Sequence, residues 1–101
     1  MTDRTRLPNR RQGVNLEIAA DGLEAVCTVN VFPDGAVGEM FLDVGKPGSM
    51  VDLISRDAAC LYSLARQYGA PADVLAKSLA RLEDGKPATI IGAAADAGAS
   101  A

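Results

Sequence analysis

The chain has 101 residues with no histidine, no tryptophan and only two phenylalanines and two tyrosines. Without histidine it lacks the commonest general base and the commonest metal ligand. Its two cysteines, Cys27 and Cys60, are far apart and form no CxxC pair, so a four-ligand zinc site has nothing to assemble from. Both lie in apolar patterns and read as small buried hydrophobes. A disulfide between them would require an oxidising compartment. No apolar run reaches the ~18 residues that cross a bilayer. The N-terminus lacks the charged-then-apolar profile of a secretory leader, which points to the cytoplasm. Nothing resembles a nucleophile paired with a base, so the sequence offers no catalytic residue, no metal site and no cofactor motif.

What is present is aliphatic. Nearly half the residues (49%) are hydrophobic, enough for one modest core of Val, Leu, Ile, Met and Ala in a single small domain. Charge is divided unevenly. Arg4, Arg6, Arg10 and Arg11 against Asp3 leave residues 1–12 at +3, whereas the other six basic and twelve acidic side chains leave the body at −6. An acidic body is poorly suited to nucleic acid, which demands a basic face. The basic arm reads either as a solvated terminus that docks on the acidic body of a neighbour, or as a contact for a phosphate or an acidic partner.

The pattern expects an α+β fold, a three-stranded antiparallel meander followed by two helices packed on one face. Val14, Leu16 and Ile18 alternate with polar residues, as in a half-buried strand. Asp21-Gly22 is the dipeptide of a type I′ hairpin turn. Ala25, Cys27, Val29 and Val31 share one face of a second strand over 23–32. Pro33-Asp34-Gly35 turns the chain into a third strand, 36–44, with Met40, Leu42 and Val44 facing one way. The outward face then holds Glu24, Thr28, Glu39 and Asp43 together with Val26, Phe32, Val37 and Phe41. Such a mixed face is either an ordinary solvated surface or an oligomer or partner surface.

From Ser49 the period becomes 3.6. Ser49 and Asp52 read as a capping box, and Met50, Ile54, Leu61, Leu64 and Tyr68 form an apolar stripe that predicts a helix closing at Gly69. That stripe is expected to face the core, which makes Asp57, lying on it, anomalous. A carboxylate there requires Arg56, an arm arginine or a subunit interface. Pro71 opens a second helix with Val74, Leu75, Leu79 and Leu82 on its buried side, ended by Gly85. The domain thus spans 13–85, after the arm 1–12. The stretch 86–101 reads as an Ala/Gly-rich tail in which Ile90 and Ile91 dock and the last residues fray.

Two features are candidates for ligand chemistry. Lys46, Gly48 and Ser49 lie in the GKPGS loop at a helix start, where free N–H groups and a lysine suit a phosphate or carboxylate. The spacing is not that of a Walker loop, and a plain capped turn explains it equally. Arg6, Arg10 and Arg11 are the second candidate. They bind an anion such as a nucleotide phosphate, or they make salt bridges to Glu39 or Asp43.

Several segments resemble one family. RLPNRRQG at 6–13, PDGAVGEMFLDVGKPGS at 33–49 and SLARQYGAP at 63–71 are similar to the C-terminal accessory domain of adenosylcobalamin-dependent (class II) ribonucleotide reductases, often called the TSCPD domain. The likeness runs over residues 6–82 with order and spacing kept. It departs after Pro87, where the chain reads ATIIGAAAD and the domain's eponymous cysteine and proline are missing. The reductase's catalytic barrel has no counterpart in this sequence. The resemblance implies a non-catalytic, homo-oligomeric module that binds a partner such as a ribonucleotide reductase, or a nucleotide-type anion. The alternatives are a small oligomeric protein that sequesters a nucleotide or nucleotide signal, of phage or mobile-element type, and a purely structural partner subunit.

Overall fold

In the computed structural model, which describes residues 3–8 and 13–100, the chain folds as β1 (Gly13–Ala20), β2 (Leu23–Val31), β3 (Val37–Val44), α1 (Met50–Gln67), α2 (Ala72–Ser78) and α3 (Ile90–Ser100). The expected meander is there, in sheet order β1-β2-β3, antiparallel throughout. Asp21 and Gly22 both adopt positive φ (49° and 80°), as a type I′ turn requires. Cross-strand neighbours share a face, so Leu16, Cys27 and Leu42 line up in one row, as do Ile18, Ala25 and Val44. These rows, with Met40 and Val29, form the core face of the sheet.

One outward residue was expected on the wrong side. A bulge between Asn30 and Val31 shifts the register, so that Val31 faces Val37 while Asn30 faces Glu39. The extra residue reverses the facing of the strand beyond it. Val37 therefore lies in the core, whereas Val26 and Phe41 point outward and are exposed. Gly38 fills the extra place. A Cβ there would meet Leu7 at 2.9 Å and Phe32 at 3.0 Å, so its bareness lets Leu7 pack onto the sheet end. Segment 3–8 is thus tied down through Arg4, Thr5 and Leu7, while Asp3, Arg6 and Pro8 stay exposed. Thr5 N–H donates to the Gln67 carbonyl at 2.7 Å, and Arg4 Nε donates to Gln67 Oε1 at 2.6 Å.

The helices differ more from expectation. α2 ends at Ser78, short of Gly85, and leaves Val74 and Leu82 exposed. Residues 80–88 fold back as a short hairpin instead, through an Arg81–Pro87 bridge and the Leu82 N–H to Lys86 carbonyl bond. Much of the Ala/Gly-rich stretch forms a third helix, α3. It contacts all three strands and buries Ile90, Ala94 and Ala95. Small side chains let its backbone approach the sheet closely, which is why a stretch poor in large apolar residues still serves as core. Arg81 fastens the hairpin to α3 through a two-pronged contact with Asp96 (2.6 and 3.0 Å), and this contact holds the Asp96 carboxyl below its usual range. No helix among the described residues is long and apolar enough to cross a membrane.

Candidate functional site

α1 starts where the sequence places it and faces the opposite way. Ser49 is its N-cap, accepting from Asp52 N–H at 3.3 Å, and Gly69 follows its C-cap, Tyr68. The buried residues of α1 are Asp52, Ser55, Ala59, Tyr62 and Gln67, a largely polar set. Met50, Ile54, Leu61 and Tyr68 of the apolar stripe are instead 70%, 59%, 68% and 45% exposed. Asp57 lies among them, in solvent, and is no anomaly in a buried core.

The reversal follows from what β3 needs. As the outer strand of the sheet, β3 presents N–H and C=O groups that no fourth strand satisfies. The polar side of α1 satisfies them. Asp52 Oδ1 accepts from Val44 N–H at 3.1 Å, and Ser63 Oγ accepts from Met40 N–H at 2.9 Å while donating to the Ala59 carbonyl at 2.8 Å. Gln67 Nε2 donates to the Gly38 carbonyl at 3.1 Å, and Arg66 Nε donates to the Val37 carbonyl at 2.8 Å. An apolar side chain at any of these four positions would leave a strand group unpaired, at a cost of about 1–3 kcal/mol each. The polar side must therefore face inward, and the apolar stripe is left outside.

The glycine loop holds an anion belonging to the chain itself. Asp52 Oδ2 accepts from Gly48 N–H at 3.0 Å, and Arg56 lies 3.3 Å from the same carboxylate. Bonds from Gly48 and Val44, then the Arg56 charge, hold the Asp52 carboxyl below its ordinary value of 3.8. Arg56 also reaches Asp43 at 3.1 Å. Lys46 and Gly48 are exposed and Ser49 is half-buried, all three at the N-terminal end of α1. Arg6 is exposed beside Thr5 and Leu7, which are tied to Gln67 and Gly38 near the opposite end. An 18-residue helix is roughly 27 Å long, so Arg6 and the loop do not converge. Arg10 and Arg11 lie outside the described residues. Among the described residues no cluster of ligating side chains suits a metal ion.

The stripe is a ridge with a depression on either side. Towards β3, a groove of about 420 Å³ is lined by Phe41, Asp43, Arg56, Cys60 and Leu64 among others. Towards α2, a second groove of about 340 Å³ is lined almost wholly by apolar groups, with Ala58, Leu61, Ala65, Leu75 and Leu79 on its walls. Cys60 is exposed beside the ridge, whereas Cys27 is buried beneath the sheet face, where burial pushes its thiol up to about 11. The signal for this ridge was present in the sequence. Asp52, Ser55, Ser63, Arg66 and Gln67 recur at helical spacing along one side as regularly as the apolar residues do along the other.

No family model matches the chain, and no solved structure matches it. Curated proteins do. The chain is 38% identical over 72 residues to a vitamin B12-dependent ribonucleotide reductase of Rhodopirellula baltica, covering 71% of this chain and 7% of that protein. A protein of the same name from Agrobacterium fabrum is 36% identical over 69 residues, 68% of this chain and 5% of the relative. One from Streptantibioticus cattleyicolor is 35% identical over 68 residues, 67% of this chain and 11% of the relative. The chain thus spans about a tenth or less of these large relatives. By sequence it is a relative of the vitamin B12-dependent ribonucleotide reductases through one short segment of those proteins.

Proposed function

We propose that this chain is a non-catalytic, protein-docking module of the reductase accessory (TSCPD) type, and that the outward face of α1 is its docking surface. The observation that carries this reading is the exposure of Met50, Leu53, Ile54, Leu61 and Tyr68 on a helix whose polar side is turned inward. Large apolar side chains gathered on one helix face cost solubility unless something covers them. The kinship with a small part of a large reductase supports a ribonucleotide reductase as partner. The nucleotide reading rests on Lys46, Gly48 and Ser49, and on Arg6, Arg10 and Arg11. Against it stands Asp52, whose carboxylate already occupies the Gly48 N–H that a phosphate would use.

The test pairs capture with nucleotide binding. The purified chain is immobilised and offered a vitamin B12-dependent reductase, with Leu61→Glu and Ile54→Glu as variants and a nucleoside triphosphate as a competing probe. Docking predicts capture that both variants abolish and nucleotide leaves unchanged. Capture indifferent to both variants, or nucleotide binding lost on Lys46→Ala with no capture at all, refutes it.

A further inference from the structure

We propose that the outward face of α1 pairs with its own counterpart, the α1 helices of two copies lying antiparallel across Met50, Ile54, Asp57, Leu61, Leu64 and Tyr68. This rests on the reading above that the outward face of α1 is a docking surface, and adds a second copy of the chain as an occupant that competes with a reductase for that face.

The spacing carries the argument. The six positions succeed one another at intervals of 4, 3, 4, 3 and 4 residues, the a/d rhythm of a two-helix seam. A seam with this rhythm accepts another helix carrying the same rhythm. Among the described helices only α1 carries it, since α2 has seven residues and α3 buries its small side chains on the sheet. The interval series also reads the same in both directions. A two-fold axis through the middle of the helix therefore aligns every position at once, Met50 opposite Tyr68 of the second copy, Ile54 opposite Leu64 and Asp57 opposite Leu61. Isologous pairing demands this self-complementarity, and an arbitrary partner does not.

Shape agrees, and charge selects the orientation. A ridge flanked by two grooves fits a copy of itself, because each ridge can settle into a groove of the other. A parallel, in-register pair would place the two Asp57 carboxylates side by side. The antiparallel arrangement offsets them by four residues, about 6 Å along the axis, and opposes the two helix dipoles. Area sets the strength. Met50, Leu53, Ile54, Leu61 and Tyr68, with the half-buried Leu64, expose roughly 600 Å² in all, so even full burial on two copies gives roughly 1,200 Å², the lower bound of specific interfaces. The pair is therefore one that forms and dissociates with concentration rather than a permanent dimer. On the β3 side of the sheet, the bonds from α1 to Met40, Val44 and Gly38 oppose pairing with a strand from outside.

Sedimentation of the full chain over a concentration series tests the pairing. The expected result is reversible growth from 10.4 kDa to twice that mass. Leu61→Glu, at a largely exposed position, should keep the circular dichroism and melting behaviour of the monomer and remain at 10.4 kDa at every concentration. Asp57→Leu completes the apolar seam and should tighten the dimer at least tenfold, a gain that a merely structural role for α1 would not produce. Orientation is read by disulfide trapping in a Cys60→Ser background. Mixed Met50→Cys and Tyr68→Cys chains should cross-link to each other. Met50→Cys cross-linking to itself would show a parallel pair and overturn the proposal, as would a dimer unmoved by Leu61→Glu. A chain that stays monomeric at millimolar concentration also overturns it. If reductase capture is then still lost in Leu61→Glu, the docking reading survives and only self-pairing falls.

Discussion

Replacing Ser63 with alanine isolates the reason that α1 turns its polar side inward. Ser63 Oγ accepts the Met40 N–H bond at 2.9 Å, and Met40 is among the most deeply buried side chains of the core. Truncation leaves that N–H without its partner, a loss of about 1–3 kcal/mol. Two smaller terms act on the same substitution. The bond from Ser63 to the Ala59 carbonyl is a back-bond within the helix, whose removal is close to neutral, and alanine gains about 0.5 kcal/mol of helix propensity. The net expectation is about 0.5–2.5 kcal/mol of destabilisation, which lowers the melting temperature of a domain this size by roughly 2–20 °C. Chemical denaturation at one fixed protein concentration measures it, with Ser78→Ala as the control. Ser78 makes the same kind of back-bond, to the Val74 carbonyl on an exposed surface, and its loss should stay within about 0.5 kcal/mol. Hydrogen exchange adds a local readout, since the Met40 amide should exchange markedly faster in Ser63→Ala. Equal stability of the two variants with an equally protected Met40 amide would refute the edge-sealing argument, and with it the stated cause of the exposed ridge.

Further predictions concern the buried carboxylate, the core under α3 and the two thiols. Because the folded state holds the Asp52 carboxyl below 3.8, its stabilisation is complete above the ordinary value and is lost as pH falls through the lower folded one. The stability gap between the native chain and Asp52→Asn should therefore narrow below about pH 4, and a gap constant from pH 7 to pH 2 would contradict this. Ala95→Leu should cost about 1–3 kcal/mol by overpacking, because Ala95 is fully enclosed between α3 and the sheet, and unchanged denaturation would mean that α3 is not core. A thiol reagent at neutral pH should modify Cys60 in the folded chain and reach Cys27 only on unfolding, as mass spectrometry of the labelled peptides will report.

The legible part of the fold is the part written in local chemistry. Asp21-Gly22 demands positive φ and gets it; the alternation through Ala25, Cys27 and Val29 places one face on the core; Ser49 and Gly69 bound α1 as capping rules require. What was not legible depends on distant approach. α3 gives no advance notice because alanine and glycine carry no periodic signal of their own, and Ala94 and Ala95 become core only when α3 is brought against the sheet. The Val37 facing hinged on a bulge at Gly38, and nothing in the alternation of β3 announces it. The ligand candidates fared unevenly for a similar reason. Helix-start chemistry at Lys46, Gly48 and Ser49 is readable from spacing, but the identity of the anion there is not. In the structure the carboxylate of Asp52, four residues on, accepts from Gly48 N–H.

The stripe on α1 shows where periodicity stops being informative. An apolar row at 3.6-residue spacing says that one side of a helix will be covered, and it carries no term for which surface covers it. A competing row decides the orientation. The outer strand β3 has backbone groups at Val37, Gly38, Met40 and Val44 that meet Arg66, Gln67, Ser63 and Asp52 of α1. Burying the apolar row against the same strand would instead leave those groups unpaired. The helix therefore rotates, and its apolar row becomes available to another chain. A helix that seals an edge strand with its polar side leaves its apolar side exposed as a by-product of closing its own sheet, and Asp57 is the one charge on that row.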